Sequence, residues 1–146
     1  MEVYKGMKKV VKFGGSSLAS AEQFKKVGAI IRQEESRRYV VPSAPGKRFS
    51  GDTKVTDMLY SCYHLAIQEF KVIRENFSKK VGRDYAASRG EYLNGMIMAA
   101  YLGYEFIDAA EVIFFNEKGG FDADKTQKIL SERLAHTEKA VIPGFY

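Results

Sequence analysis

Three short segments of the chain hold residues whose types and spacing suit an anionic ligand. In Lys12-Phe13-Gly14-Gly15-Ser16-Ser17 a cation precedes two glycines and two hydroxyls. Glycines let backbone N–H groups approach an oxyanion, a helix start adds positive potential, and lysine supplies a full charge. Phosphate chemistry fits. The spacing is not that of a Walker A loop, and no Gly-x-Gly-x-x-Gly occurs. A plain strand-to-helix turn explains the same residues equally well.

The second segment is Ser43-Ala44-Pro45-Gly46-Lys47, followed by Asp52-Thr53-Lys54-Val55-Thr56-Asp57. Ser43 and Thr56 can hydrogen-bond a substrate. Thr56 is equally placed to be a helix N-cap, and Lys47 and Arg48 read equally as solvated cations. The third is Ala87-Ser88-Arg89-Gly90-Glu91, where Ser88 and Glu91 have capping-box spacing and an acid in a first helical turn is favourable in any protein. Cys62, His64 and His136 lack the spacing of a structural zinc site, and no Ser/His/Asp or Cys/His set stands out; metal: none is the expectation for protein ligands.

The elements that must position these groups follow from patterning. Lys8–Phe13 is β-branched and ends in Gly14-Gly15, a buried strand running into a tight loop. Ser20 caps a helix over Ala21–Gln33 with Phe24, Val27, Ile30 and Ile31 on one face. Tyr39–Val41 is a second strand, and Pro42–Val55 an irregular loop. A long helix starts at Thr56, with Met58, Leu59, Cys62, Leu65, Ala66, Ile73 and Phe77 roughly in phase. Lys79–Ala87 is polar and aperiodic. Another helix starts at Ser88 and runs to Leu102, with Leu93, Met96, Ile97 and Ala100 inward and Gly103 at its end. Glu105–Asp108 and Val112–Phe115 read as short strands, Asp122 or Asp124 opens a helix to His136, and Lys139–Ile142 is a last strand stopped by Pro143-Gly144. Strands alternating with helices predict an α/β domain with a mostly parallel sheet and right-handed crossovers. Loops after successive strands then share one crevice beyond the strand ends.

Composition sets the outer bounds. The 146 residues, 45% hydrophobic and 28% charged, suit one globular domain. A single cysteine fits a reducing compartment, and the absence of a signal peptide or long apolar run makes a cytoplasmic protein with no membrane partner the expectation. The net charge of +5 raises a nucleic-acid reading. Local balance argues against it, since Glu22 accompanies Lys25 and Lys26, and Glu34 and Glu35 accompany Arg37 and Arg38. No nucleic acid is expected.

In order along the chain, Lys12–Ser17 with Leu18-Ala19, Ser43-Ala44, Thr56-Asp57, Ser88-Arg89-Gly90-Glu91 and Val141-Ile142-Pro143-Gly144-Phe145 resemble the aspartokinase branch of the amino-acid kinase family. The resemblance implies a three-layer α-β-α fold of the carbamate-kinase-like type. It implies transfer of the ATP γ-phosphoryl group to the side-chain carboxylate of L-aspartate, giving 4-phospho-L-aspartate, the entry to lysine, threonine and methionine synthesis. ATP and Mg2+ would serve the reaction, with magnesium bridging the nucleotide phosphates. By analogy Lys12 neutralises charge on the transferred phosphoryl group, the Gly14 and Gly15 amides cradle its oxygens with Ser16 and Ser43 nearby, and Thr56 and Glu91 hold aspartate, Glu91 pairing with its α-ammonium.

The family pattern continues past Pro-Gly-Phe into a Gly-Arg-Gly-Gly-Ser-Asp-type segment and, further on, ACT regulatory domains. The expectation is therefore an N-terminal portion of a catalytic domain, inactive alone, from a parent that forms a homo-oligomer. The family's longer helical stretch before Ser88 raises the further expectation of a missing segment between about 77 and 88. Glutamate, acetylglutamate or uridylate kinases would share the fold and the lysine-glycine loop, and the Ser-Arg-Gly-Glu segment with Thr56 favours aspartate over them. A non-catalytic anion-binding module is the reading from another class.

Overall fold

Alternation along the two central strands of the sheet decides which face each helix covers. The computed structural model describes residues 7–69 and 82–145. Strand β1 (Lys9–Phe13) is followed by a 3-10 turn (Gly15–Leu18), helix α1 (Ala21–Arg32) and strand β2 (Arg37–Pro42). Helices α2 (Val55–Glu69) and α3 (Arg83–Leu102) come next. Strand β3 (Glu105–Phe106), a one-turn helix α4 (Ala109–Val112), helix α5 (Ala123–Ala135) and strand β4 (Ala140–Val141) complete the order.

The four strands form one parallel sheet in the order β1-β2-β4-β3. Parallel strands need covering on both faces, because their connections are themselves layers. Val40 and Val141 turn to one face, where they pack with Val27 and Ile31 of α1 and Met98 and Ala99 of α3. Tyr39, Ala140 and Ile142 turn to the other, against Ala109 and Val112 of α4 and Ile129, Leu130 and Leu134 of α5. The result is the three-layer α-β-α arrangement expected from the sequence.

Several helix ends obey local chemistry. Ser20 accepts a hydrogen bond from the Gln23 N–H at 3.3 Å, which satisfies one orphan donor of α1. Gly103, at φ 71°, closes α3 in the left-handed region, with its N–H donating to the Ala99 carbonyl. Glu22 pairs with Lys26 at 2.8 Å within α1, and Glu34, in the turn after it, pairs with Arg37 of β2 at 3.2 Å, so these basic residues have acidic neighbours.

The structure corrects several expectations. Helix α3 starts at Arg83, not Ser88: Gly82 is its extended N-cap, and the first turn is anchored on α2 by Arg83 stacked 4.3 Å from the Tyr60 ring centroid and by the Tyr60 hydroxyl bonded to Asp84 at 3.3 Å. Ser88 is a fully buried helix-interior residue whose hydroxyl donates to the Tyr85 carbonyl at 2.7 Å, so it caps nothing.

The inward face of α3 is also different. Leu93, Met96, Ile97 and Ala100 are exposed, while Ala87, Ser88, Gly90, Asn94, Gly95, Met98 and Ala99 are buried. Small residues face the sheet because the helix lies very close to it: a Cβ on Gly95 would stand 3.1 Å from the Phe106 ring and 3.3 Å from Pro143. In α1, Ile30 is exposed although Val27 and Ile31 are buried.

Val112–Phe115 is not a strand. Asp108 caps the one-turn helix α4 by accepting from the Ala110 N–H at 3.1 Å, which diverts the chain before an extended run can form. Phe115 instead makes an isolated antiparallel bridge to Phe121. Finally, α2 begins one residue earlier than expected, so Thr56 lies inside its first turn, and Met58 and Cys62 are exposed rather than inward. Ile73, Phe77 and much of the 77–88 region considered above lie outside the described residues.

Candidate active site

The carboxyl ends of β1, β2 and β4 lie side by side, and the loops leaving them are held together by backbone contacts. The Ser43 N–H donates to the Phe13 carbonyl at 3.0 Å, continuing the β1–β2 ladder one step beyond Pro42. The Gly46 N–H donates to the Gly15 carbonyl at 2.8 Å, joining the loop after β1 to the loop after β2. The approach is too tight for side chains. A Cβ on Gly15 would lie 2.8 Å from the Ala44 carbonyl oxygen, and one on Gly46 would lie 2.6 Å from the Gly15 carbonyl carbon. Both positions therefore demand glycine for lack of space. Gly14 is different: it is exposed, and a Cβ there would meet nothing within 4 Å.

Between these loops and α3 opens a cleft of about 440 Å³. Five of the seven residues singled out by sequence line it: Gly15, Ser16, Ser43, Thr56 and Glu91. Lys47 and Lys54 line it too, which gives the cleft two cations from the loop that follows β2. Lys12 and Gly14 are not part of the lining. Lys12 is nevertheless close enough for its charge to act on Glu91, and it is exposed near the end of β1.

Glu91 sits in α3, half-buried, where several loops meet. Its Oε2 lies 3.3 Å from where a Cβ on Gly144 would stand, so the chain after β4 passes close against it. Burial pushes its carboxyl above the ordinary value of 4.5. The backbone N–H groups of Ala44, Gly144 and Phe145 and the Lys12 ammonium oppose that shift without cancelling it. Glu91 is thus an acid with a charged partner in a polar cleft, and its environment comes from three strand-end loops at once.

The second loop is shaped by two further devices. Asp52 accepts from Arg48 through both guanidinium and backbone: Nε at 2.7 Å, Nη2 at 2.9 Å and the Arg48 N–H at 3.0 Å. This holds the Asp52 carboxyl well below the usual carboxylate range and closes residues 48–52 into a turn. Arg48 is therefore a loop brace and not a cleft cation. On the inner side, the Asn94 amide donates to the Ser43 carbonyl at 2.7 Å, and Gly90 lets Ala44 approach, a Cβ there lying 3.2 Å from that of Ala44. Sequence patterning overlooked Asn94. The available signal was a polar residue one helical turn after Glu91 and flanked by Gly90 and Gly95, a run that only a helix pressed against another backbone would bury.

A model of the amino acid kinase family matches residues 7–146. The chain belongs to that family. Among solved structures, an aspartate kinase from Clostridium acetobutylicum superposes with a TM-score of 0.85 at 44% identity, over 96% of this chain and 39% of that one. Aspartokinase 3 of Bacillus subtilis is 59% identical over 54 residues, which are 37% of this chain and 12% of the relative. An Escherichia coli aspartokinase III bound to aspartate and ADP shares the fold, with a TM-score of 0.64 at 18% identity over 92% of this chain. Within the amino acid kinases, the chain is thus similar to part of the aspartokinase catalytic region, and it spans about two-fifths of the solved relatives' length. Among the described residues no helix is long and apolar enough to cross a membrane.

Proposed function

We propose that this chain forms the aspartate-and-phosphoryl half of an aspartokinase active site, for phosphorylation of the L-aspartate side-chain carboxylate by ATP. One observation carries the reading. Glu91 and Lys12, an acid and a cation near enough to interact, sit where the Gly15 and Ser43 loops join, in a chain 44% identical to an aspartate kinase over 96% of its length.

Transfer between a phosphate and a carboxylate brings two anions together, so the protein must mainly position them and neutralise charge. Among the described residues Glu91 is the one carboxylate lining the cleft and pairs with the α-ammonium of aspartate, while the Thr56 hydroxyl, at the start of α2, bonds the same substrate. That orientation leaves the aspartate side chain directed toward Gly15, Ser16 and Ser43. Lys12 neutralises charge that builds on the transferred phosphoryl oxygens, and the Gly14 and Gly15 amides with the Ser16 and Ser43 hydroxyls donate to them. Lys47 and Lys54 attract the nucleotide phosphates into the cleft. Among the described residues no three His, Cys, Asp or Glu side chains gather as a metal cage. Magnesium would come with the nucleotide phosphates and would supply additional charge neutralisation there.

The ATP base and ribose contacts, the homo-oligomer and the cytoplasmic setting belong to the same proposal for the longer enzyme. The test is a hydroxamate assay for aspartyl phosphate on two preparations. The 146 residues alone are expected to give no turnover. A chimera in which they replace the matching part of the Clostridium acetobutylicum aspartate kinase is expected to turn over with aspartate and not with glutamate. A soluble, folded chimera with no aspartate-dependent product would overturn the reading.

A further inference from the structure

Asn94 is 4% exposed, lies one helical turn beyond Glu91, and donates its amide to an acceptor outside its own helix, the Ser43 carbonyl at 2.7 Å. That carbonyl belongs to the Ser43–Ala44 peptide unit, whose other polar group, the Ala44 N–H, faces Glu91. In a trans peptide the C=O and N–H point in opposite directions, so two side chains about one turn apart on a helix can take one end each. Residues 91 and 94 have that spacing. Gly90 completes the arrangement, because its missing side chain lets Ala44 lie against the helix with a separation of 3.2 Å from Cβ position to Cβ.

We propose that Asn94 is a positioning residue that, together with Glu91, grips the Ser43–Ala44 peptide plane from its two ends and thereby fixes the Ser43 hydroxyl and the joined Gly15 loop in the substrate cleft. The role goes beyond burying a polar residue. A buried amide needs some acceptor, but this one takes the carbonyl of a cleft residue in a loop that is otherwise irregular. Through the Gly46–Gly15 hydrogen bond the same loop holds the phosphate-facing turn after β1, so one side-chain amide orders two loops. The ligand that benefits rests on the aspartokinase reading; the grip itself does not.

The test uses this chain, isotopically labelled, with the Glu91 carboxyl followed by NMR from acid to neutral pH. Charged groups that face or line the cleft with Glu91 are Lys12 from β1 and Lys47 and Lys54 from the loop after β2, and none of them is altered in the test variants. Asn94→Leu keeps the branched heavy-atom skeleton and removes the donor. With its carbonyl unpaired the peptide plane is released, the Ala44 N–H leaves Glu91, and the Glu91 midpoint rises. Asn94→Gln, which retains an amide on a longer arm, restores part of the difference. L-aspartate, titrated in parallel, is expected to bind Asn94→Leu on the order of tenfold more weakly, the equivalent of one buried acceptor left unpaired.

An unchanged Glu91 midpoint in a folded Asn94→Leu protein overturns the grip, whatever happens to binding. A raised midpoint in a protein whose unaltered form ignores aspartate supports the grip and removes the aspartokinase reading. Should Asn94→Leu fail to fold, the unaltered chain still decides: a scalar coupling across the hydrogen bond from the Asn94 amide nitrogen to the Ser43 carbonyl carbon is expected, and its absence with free exchange of those amide protons overturns the proposal.

Discussion

The N–H of Gly46 donates to the carbonyl of Gly15 across 2.8 Å, and neither residue has room for a methyl group. The contact makes one surface of two loops that are 31 residues apart in sequence and leave neighbouring strands. Everything that faces the cleft from the sheet side depends on it, because Ser16 follows one partner and Lys47 the other.

Gly46→Ala is therefore expected to destabilise the chain by about 1–3 kcal/mol, the usual cost of forcing atoms into a filled space. The new Cβ meets backbone, which cannot swing aside as a side chain can. Gly14→Ala is the matched control. It has open space and an extended backbone at φ −75°, so its cost should stay within about 0.5 kcal/mol. Urea denaturation of the two variants checks the contrast, and equal losses would contradict it.

For Lys12, the expected defect is in turnover. In the chimera with the Clostridium enzyme, Lys12→Ala should lower kcat on the order of 10²–10³-fold, as for loss of one donor to a developing oxyanion, with a much smaller rise in KM. Lys12 lies outside the cleft lining while its charge reaches Glu91, so a contact made chiefly in the transition state is the sensible role. A steady-state analysis showing unchanged kcat would remove it from the mechanism.

Glu91 gives a pH dependence whose sign can be worked out. Its folded-state carboxyl titrates above the ordinary value of 4.5, chiefly through burial. Aspartate binding through the α-ammonium needs the charged form, so affinity should fall as pH falls through a midpoint above 4.5. Stability runs the other way. A carboxyl raised on folding contributes stability that is present below its unfolded value and is lost as pH rises through the folded value. Compared with Glu91→Gln, the unaltered chain should therefore lose stability across that window while keeping the aspartate response that the variant lacks. Calorimetry and urea midpoints at matched pH values separate the two effects.

The corrected face of α3 predicts a reversal of what hydrophobicity alone suggests. Met98 is fully buried and Ile97 is 60% exposed. Met98→Ala should cost about 2–5 kcal/mol by opening a core cavity, and Ile97→Ala no more than about 0.5 kcal/mol. Thermal or urea unfolding reads both, and a larger loss at Ile97 would place the helix the other way round.

That reversal marks where the sequence stopped being informative. The strand of Lys9–Phe13, the Ser20 cap and the Gly103 stop were legible because each is a local device: a β-branched run, a side-chain acceptor, a residue free to adopt positive φ. The expected burial of the strand was wrong, because it lies at the sheet edge with Val10 exposed. The meeting of the Gly15 and Ser43 loops followed from a parallel sheet, whose strand ends open onto one crevice, whereas Glu91, inside a helix, was placed there only by the family resemblance. Helix α3 was misread because its depth is set by close approach to Phe106, Pro143 and Ala44, which favours Gly and Ala over large apolar residues. Its start was misread because the turn at Arg83 is held from α2, through Tyr60, and no local signal records that contact. Asn94 went unnoticed for the same reason: its partner, Ser43, is 51 residues away.

The most direct test of the central claim is an amide-resolved NMR titration of this chain with L-aspartate, followed by ADP with magnesium. The account predicts saturable shifts for Ser43, Ala44 and Glu91 with aspartate, absent in Glu91→Gln, and shifts for Gly15 and Ser16 once the nucleotide is added. Saturable shifts confined to residues away from this cleft, or an aspartate response that survives in Glu91→Gln, would contradict it.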